Sequence, residues 1–333
     1  MAGAKVRVLQ HGLGPIGCSV ARLVAQRPSL ELVGGIDVDP GKVGRDLGQV
    51  IGLGRPLGVP VSGDMDAVLA EHDVDVVLNC TGSSLAAVSA QLAEFVRSGI
   101  NVISTCEELA CPTGENAAHA EALDSLAKEH DVTVLGTGIN PGFMMDTLPL
   151  LLTTPCQEVR RVVVERLVNA SERREPLQRK VGAGKTPKEF DQLVASRKVR
   201  HVGMLESVTA IARGLGWQLE RMEETIEPVI AQVPVETQYL RVEPGQVAGV
   251  HQTGRGFMGG REVITLELRM YVGAPESVDR VRIEGTPNLT NELRGVHGDL
   301  STAAVVVNCI PQVLAARPGL VTMADLSLPH AYA

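Results

Sequence analysis

Aromatic residues are scarce in this sequence, and long apolar runs are missing from it. Only 2% of the 333 residues are Phe, Trp or Tyr, whereas 44% are hydrophobic and 35 are glycine. Apolar stretches such as residues 132–135 and 303–307 are far shorter than the roughly 20 residues that a helix needs to cross a bilayer. We therefore expect no membrane span and a globular, loop-rich chain.

Clustered positive charge and closely paired cysteines are lacking as well. The 39 acidic residues exceed the 31 lysines and arginines, and both signs are mixed along the chain, with a net charge of −8. This disfavours nucleic acid and anionic membranes as partners, because both attract clustered positive charge. Small molecules are therefore the expected partners. The six cysteines show no C-x-x-C spacing, so we expect free thiols and no metal site. The first residues lack an apolar signal-peptide core, which indicates a cytoplasmic protein.

The first part of the chain alternates β-rich runs with helical runs. Strands are predicted at residues 5–10, 30–36, 74–80, 101–104 and 132–136, and helices at residues 18–25, 66–71, 85–98 and 117–130. Such alternation indicates a parallel sheet, because each parallel connection needs a long crossover and a helix provides it.

The pattern changes after Gly138. Longer strands are predicted at residues 159–168, 239–242 and 262–271, and helices at residues 144–152, 187–196, 205–214 and 300–314, the last kinked or ended near Pro311. Long, partly alternating strands indicate a mixed or antiparallel sheet. Because 333 residues exceed the size at which one core stops growing, we expect two domains. They are residues 1–146, with 300–333 packing back on them, and residues 147–299.

A glycine turn follows the first predicted strand. The turn contains three glycines with the spacing of a dinucleotide-binding motif. Gly12 permits a tight turn, Gly14 allows close approach of a pyrophosphate, and Gly17 allows close helix–strand packing. The pyrophosphate would lie on the N-terminus of the helix that begins at Pro15 and Ile16. The strand before the turn and the helix after it predict a doubly wound Rossmann domain that binds NAD or NADP. The longer strands after Gly138 predict that the second domain is α+β.

Asp37 closes the second strand at the expected distance from the glycine turn. Its carboxylate would accept hydrogen bonds from the ribose hydroxyls, which favours NAD because a carboxylate repels a 2'-phosphate. Lys42 and Arg45 lie nearby and could offset that repulsion, or they could be ordinary surface charges. The choice between NAD and NADP therefore stays open.

Two further segments follow strands whose carboxyl ends should meet the cofactor. Thr81, Gly82 and Ser83 are placed to run past its nicotinamide side, although the segment could also cap the next helix. Residues 104–108 (Ser-Thr-Cys-Glu-Glu) hold Thr105 on the same edge and two adjacent carboxylates. In an extended segment, one of Glu107 and Glu108 would face the ligand crevice, unless both are simply solvated. A carboxylate near a nicotinamide suits amine chemistry, since it can take a proton from ammonium and stabilise an iminium cation.

Several motifs together resemble the native amine dehydrogenases and the related 2,4-diaminopentanoate dehydrogenases, which are built like dihydrodipicolinate reductase. They cover most of the chain and lie at residues 10–17, 35–44, 101–109, 136–143, 176–184, 245–252 and 298–308.

The resemblance implies that residues 147–299 bind the substrate and form a homodimer. It also implies that the enzyme uses NAD(P)H to join a ketone or aldehyde to ammonia or, in reverse, deaminates the amine. It assigns the acid/base role to Glu108. It also implies a substrate pocket made by Asn140, Met145, Val168, Arg173, His251 and Thr302.

Two pocket residues and the activity itself have alternatives. Arg173 could bind a substrate carboxylate, which would favour an amino-acid or keto-acid substrate, or it could be a solvated member of a charge cluster. His251 could orient the substrate or be satisfied by loop backbone. The alternative functions are a 2,4-diaminopentanoate dehydrogenase, a dihydrodipicolinate reductase-like imine reductase and a non-catalytic NAD(P) sensor. The reductase alternative expects paired histidines and a lysine, which the sequence does not offer.

Overall fold

The computed structural model describes residues 4–332 and forms two compact units. The first unit comprises the chain up to Phe143 and again from His297 onward, and the second comprises Met144–Val296. None of the helices among the described residues is long and apolar enough to span a membrane.

The first unit is a parallel sheet of seven strands with helices on both faces. Its strands are β1 (Val6–His11), β2 (Leu30–Ile36), β3 (Val61–Ser62), β4 (Val76–Asn79), β5 (Asn101–Ser104), β6 (Thr133–Gly136) and β15 (Gly319–Val321). Its helices are α1 (Pro15–Gln26), α2 (Leu47–Val50), α3 (Met65–Glu71), α4 (Leu85–Arg97), α5 (Ala117–Glu129), α10 (Gly298–Asn308) and α11 (Ile310–Leu314). The strand order is β15-β6-β5-β4-β1-β2-β3, so the chain adds strands on one side of β1 up to β3 and on the other side from β4 onward. Doubly wound sheets bind ligands at this switch point, between β1 and β4. The predicted Rossmann fold is confirmed.

Alternation along the central strands explains the two helical layers. In β1, Val8 belongs to the hydrophobic cluster that includes residues of α1 and α10. The next residue, Leu9, belongs to the cluster on the other face, which includes residues of α4 and α5. Because successive side chains of a strand point to opposite faces, a strand that is apolar at both positions must be covered on both sides.

The second unit contains a mixed sheet of six long strands. The strands of this unit are β7 (Glu158–Asn169), β8 (Arg221–Ile230), β9 (Val235–Glu236), β10 (Arg241–Val242), β11 (Val247–Met258), β12 (Arg261–Tyr271), β13 (Val278–Thr286) and β14 (Leu289–Arg294). The six long strands run in the order β14-β13-β7-β12-β11-β8, with β12 and β7 parallel and the other neighbours antiparallel. Its helices are α6 (Thr147–Leu152), α7 (Glu175–Lys180), α8 (Pro187–Ala195) and α9 (Met204–Gly214). The mixed sheet agrees with the predicted α+β second domain.

The long strand predicted at residues 239–242 is wrong. Only Arg241 and Val242 are extended there, paired with the two residues of β9. The preceding residues form a turn instead, because the Thr237 hydroxyl oxygen accepts the backbone N–H groups of Tyr239 and Leu240.

Candidate active site

The glycine turn between β1 and α1 has the geometry that a dinucleotide needs. Gly12 has a φ of +84°, and a Cβ added to it would lie 2.7 Å from the carbonyl oxygen of Cys80. A Cβ on Gly17 would lie 1.9 Å from the carbonyl oxygen of Gly12, so α1 packs directly on the turn. A Cβ on Gly14 would meet no atom of the described chain within 4 Å, and no side chain caps α1 at this residue. An open, uncapped helix N-terminus suits an anionic pyrophosphate, so these residues fit the cofactor. Pro15 and Ile16 form the first turn of α1, as predicted.

Asp37 lies directly after β2 and holds the turn. One carboxylate oxygen, Oδ2, accepts the backbone N–H of Leu13 at 2.7 Å, and the other, Oδ1, accepts that of Asp39 at 2.8 Å. Burial alone would raise the pKa of Asp37, but these two N–H groups and the ammonium of Lys42 outweigh burial and lower it. The carboxylate is therefore ionised at neutral pH, as ribose recognition requires.

Lys42 forms an ion pair with Asp37, the acid that lies near it in the sequence. Its Nζ lies 3.1 Å from Asp37 Oδ2 and 3.4 Å from Asp39 Oδ2. Arg45 is exposed and donates to the carbonyl oxygen of Gly41 at 3.3 Å. In the described contacts, Lys42 reaches the Asp37 carboxylate and Arg45 does not.

The other predicted cofactor residues lie at the carboxyl ends of β4 and β5. Thr81, Gly82 and Ser83 form the loop between β4 and α4. The backbone N–H of Thr105 donates to the carbonyl oxygen of Asn79 at 2.9 Å, which ties the two strand ends together. The loop and Thr105 thus lie at the same edge of the sheet as the glycine turn.

The two adjacent carboxylates lie on a tight turn and not in an extended segment. Glu107–Leu109 is a single 3-10 turn, so the expectation of alternating extended side chains is wrong. The chain turns because the Ser104 hydroxyl accepts the N–H of Cys106 at 3.1 Å, and the carbonyl of Cys106 accepts the N–H of Leu109 at 3.0 Å. The end of β6 supports the turn closely, since a Cβ on Gly136 would lie 2.4 Å from the carbonyl carbon of Leu109.

Glu108 caps helix α4. Its Oε2 accepts the backbone N–H of Leu85, the first residue of α4, at 2.8 Å, and its backbone N–H donates to the carbonyl oxygen of Ser83 at 3.4 Å. Ser84, the residue before the helix, makes no side-chain cap. The loop between β4 and α4 therefore does not cap the helix at this residue, and Glu108 does so instead. Among the described residues, Glu108 Oε1 has no hydrogen-bond partner. This half-buried carboxylate therefore has one oxygen fixed by Leu85 and one oxygen without a hydrogen-bond partner in the described part of the chain.

Polar residues that end the neighbouring strands were missed by the sequence analysis. His11, Asn79 and Ser104 are the last residues of β1, β4 and β5, and all three are buried. Burial lowers the pKa of His11 to about 4, although the Asp37 carboxylate opposes this, so its imidazole is neutral at pH 7. The available signal was a polar residue closing an otherwise apolar strand at the ligand edge.

Asn140 and Thr302 come close together within the first unit. The hydroxyl of Thr302, in α10, accepts the backbone N–H of Ile139 at 3.4 Å, next to Asn140 in the loop after β6. Met145 belongs to the second unit and is fully buried.

Val168 and His251 face opposite sides of the six-stranded sheet. Val168 pairs with Met270, which pairs with Val250, whereas His251 lies one residue further along the strand. His251 is on β11 and not in a loop, and its nearest polar neighbours are side chains: Thr253 at 3.3 Å, Glu267 at 3.6 Å and Glu227 at 3.8 Å. These two predicted pocket residues therefore do not share one space in this chain.

Arg173 is accompanied by a second, buried arginine that the sequence analysis missed. Arg173 is half-buried just beyond β7, and its positive charge lowers the pKa of Arg166, although burial of Arg166 is the larger cause. Arg166 Nη1 donates to Asp279 Oδ1 at 2.8 Å, and burial raises the pKa of that carboxyl to about 6 despite the arginine. Two guanidinium groups and one carboxylate thus lie near the end of β7.

Two family models together match nearly the whole chain. Residues 143–333 match the 2,4-diaminopentanoate dehydrogenase C-terminal domain. The chain belongs to the 2,4-diaminopentanoate dehydrogenase family. Residues 6–136 of this family member match the N-terminus of dihydrodipicolinate reductase.

Individual relatives agree over the full length. The 2,4-diaminopentanoate dehydrogenase of Acetoanaerobium sticklandii is 36% identical, with 98% of this chain and 95% of the relative covered. An amine dehydrogenase of Streptomyces virginiae is 26% identical, with 95% of each chain covered. The structure of an amine dehydrogenase from Mycobacterium smegmatis matches with a TM-score of 0.86 at 27% identity, covering 99% of this chain and 98% of that one. The predicted family and enzyme class, an NAD(P)-dependent dehydrogenase of amine groups, are confirmed.

Proposed function

We propose that this family member interconverts an amine and a carbonyl compound plus ammonia, with Glu108 as the acid/base. The observation that carries the proposal is the Glu108 carboxylate itself, with Oε2 fixed by Leu85 and Oε1 available, in the same unit as the glycine turn. A non-catalytic NAD(P) sensor could use Glu108 as a helix cap, but it would have no use for the second carboxylate oxygen.

The proposed reaction consumes one hydride and, besides ammonium, one proton. Bound NAD(P)H supplies the hydride that reduces an iminium carbon. Overall, a carbonyl compound, NH₄⁺, NAD(P)H and H⁺ give the protonated amine, NAD(P)⁺ and water. Glu108 accepts a proton from ammonium so that the resulting ammonia attacks the carbonyl carbon. It returns the proton as the hydroxyl of the adduct leaves as water. Its negative charge then stabilises the iminium cation that accepts the hydride.

For the cofactor we propose that Asp37 receives the ribose hydroxyls and that Lys42 moderates its charge. The ion pair at 3.1 Å partly neutralises the carboxylate that would otherwise repel a 2'-phosphate. This supports use of both NAD and NADP, with Lys42 determining how well NADP is accepted.

For the substrate we propose an amino acid that carries a second amine, of the kind that 2,4-diaminopentanoate represents, in preference to a plain ketone or its amine. The higher identity to the relative named for that compound supports this, and so does Arg173, which lies half-buried just beyond β7. A guanidinium group offers a bidentate partner for the substrate carboxylate. We further propose a homodimer in the cytoplasm, on the basis of the sequence.

The test is a substrate panel with purified protein. Reduction of NAD⁺ and NADP⁺ is measured with 2,4-diaminopentanoate, with a monoamino acid and with plain amines, and the reverse reaction with ketones in ammonium buffer. We expect the diamino acid to give the highest kcat/KM. Arg173→Met should raise its KM by roughly 10- to 100-fold, as expected for a lost charged hydrogen bond. It should leave plain amines unaffected, and Arg174→Met is the neighbouring control. Absence of amine-dependent turnover would overturn the enzyme proposal, and preference for plain amines would overturn the amino-acid substrate.

A further inference from the structure

The side chain of Asn79 connects three strand ends at the carboxyl edge of the parallel sheet. It is fully buried at the end of β4, between β1 and β5. Its Nδ2 donates to Nδ1 of His11 at 3.2 Å and to the hydroxyl of Thr81 at 3.1 Å. Its Oδ1 accepts the hydroxyl of Ser104 at 2.9 Å. Both donors and the acceptor of one amide are therefore used, each toward a different segment.

The Ser104 contact leads directly to the turn that carries Glu108. The hydroxyl of Ser104 donates to Asn79 and also accepts the N–H of Cys106, the residue before the turn, at 3.1 Å. Because a hydroxyl can donate one hydrogen bond and accept another, Ser104 connects the side chain of Asn79 to the backbone of the turn. We call this chain of contacts, from Asn79 through Ser104 to Cys106, the relay. The carboxylate at the end of this relay is the one that caps α4 through Leu85.

The Thr81 contact fixes the loop on the other side of Glu108. The Thr81 hydroxyl oxygen accepts two hydrogen bonds. One comes from Nδ2 of Asn79, and the other comes from Nε2 of Gln91 in α4, at 2.8 Å. Two residues after Thr81 in the same loop lies Ser83, whose carbonyl oxygen accepts the N–H of Glu108. Asn79 therefore acts on Glu108 from both sides, through Ser104 and through Thr81.

We propose that Asn79 is a positioning residue that sets the location of the Glu108 carboxylate, through Ser104 on one side and the Thr81 loop on the other. The proposal rests on the proposed acid/base role of Glu108 for its effect on rate, but not for its effect on structure. Since a misplacement of about 1 Å at a reacting group can cost roughly 100-fold in rate, loss of this contact should lower kcat while the cofactor still binds.

The chain offers a matched control at the opposite edge of the same sheet. Asn101 also bridges neighbouring strands, donating to the carbonyl oxygen of Asp75 at 3.1 Å and accepting the N–H of Thr133 at 2.9 Å. It lies at the amino end of β5, away from the ligand edge. Asn101→Ala removes a comparable pair of hydrogen bonds without touching the relay.

The experiment compares Asn79→Ala, Ser104→Ala, the double variant and Asn101→Ala with the unmodified protein. We expect Asn79→Ala and Ser104→Ala each to lower kcat by about 10- to 100-fold. The dissociation constant for NADH should change less than about threefold in Ser104→Ala, which leaves the contact between Asn79 and Thr81 in place. The double variant should be little worse than Asn79→Ala alone, because the contact between Asn79 and Ser104 is already lost in that variant. If Asn101→Ala lowers kcat equally, or if the losses in the double variant multiply, the positioning role is overturned.

Hydrogen–deuterium exchange gives a readout that does not depend on activity. Amides of residues 105–110 should exchange about tenfold faster in Asn79→Ala and Ser104→Ala than in Asn101→Ala, because the turn opens locally. Ser104→Ala is the milder change and serves if Asn79→Ala does not fold. Unchanged exchange in this segment would overturn the positioning role even if no substrate were turned over. If the unmodified protein is inactive but exchange is faster in Asn79→Ala and Ser104→Ala, the proposed function is contradicted and the positioning role is not.

Discussion

The Oε2 atom of Glu108 accepts the backbone N–H of Leu85 at 2.8 Å, so the acid that we propose as the catalyst also caps a helix. The N-terminus of α4 carries partial positive charge and unpaired N–H groups, and a carboxylate satisfies both. One residue therefore serves stability and chemistry at once.

This double role predicts different stabilities for two variants. Glu108→Ala should lower the free energy of unfolding by about 1 kcal/mol, because the cap is lost. Glu108→Gln should cost less, since its amide oxygen can still accept the N–H of Leu85. Urea unfolding followed by circular dichroism measures both, with Glu107→Ala as the neighbouring control. Equal stability of the Ala and Gln variants would contradict the capping role.

The glycine turn predicts opposite consequences at two positions. Gly17→Ala should prevent stable folding, because its Cβ would lie 1.9 Å from the carbonyl oxygen of Gly12. Gly14→Ala should leave the melting temperature nearly unchanged, since no atom of the described chain lies within 4 Å of the new Cβ. It should nevertheless weaken NADH binding by about tenfold, because the methyl group lies where the pyrophosphate approaches the backbone. Thermal melts and fluorescence titration with NADH separate the two effects, and tight NADH binding by Gly14→Ala would argue against the cofactor site.

The Lys42–Asp37 ion pair predicts a change in cofactor preference. Lys42→Ala leaves the Asp37 carboxylate without its ammonium partner, so binding of NADPH should weaken by about tenfold through repulsion of the 2'-phosphate, and NADH should be affected much less. Arg45→Ala, which removes an exposed arginine, is the control and should leave the preference unchanged. If both cofactors weaken equally in Lys42→Ala, the lysine serves the turn and not the choice of cofactor.

His11 predicts a loss of stability in mild acid. Its pKa in the folded chain is lowered to about 4 from the ordinary 6.5, mainly by burial, so the unfolded chain takes up the proton first as the pH falls. The stability due to the neutral imidazole is complete above pH 6.5 and is lost as the pH falls toward 4, a loss of about 3 kcal/mol.

The measurement for His11 is unfolding by urea at several pH values. Between pH 6.5 and 4.5, His11→Gln should lose less stability than the unmodified protein, whereas His72→Gln, at an exposed histidine, should follow the unmodified protein. Parallel curves for all three proteins would show that His11 is not held neutral by burial.

The parallel sheet and its ligand edge could be predicted because their signals are local. Leu30–Ile36 and Asn101–Ser104 form strands at the predicted residues, and Gly12 and Gly17 make the tight turn and the close helix packing that their spacing indicates. The Glu107–Leu109 turn could not be predicted, because it depends on the Ser104 hydroxyl and on the approach of Gly136 from another strand.

The second unit was harder to predict because its sheet is shaped by tertiary packing. Strand β11 contains glycines that normally interrupt strands, yet Cβ atoms on Gly254 and Gly256 would lie 2.6 Å from Met204 and 2.8 Å from Leu219. Strand β13 hides a buried Asp279 whose partner, Arg166, is 113 residues away in the sequence. Neither relation has a local signal.

The most direct test of the acid/base role is the rate of ammonia-dependent NADH and NADPH oxidation in Glu108→Gln, measured beside Glu107→Gln. The amide keeps the shape of the side chain and its acceptor for Leu85 but cannot accept a proton. We predict that Glu108→Gln lowers kcat by about 100- to 10,000-fold, with NADH binding and melting temperature nearly unchanged, while Glu107→Gln stays within about threefold. Near-normal turnover in Glu108→Gln, or an equal loss in Glu107→Gln, would contradict the central claim that Glu108 moves the proton.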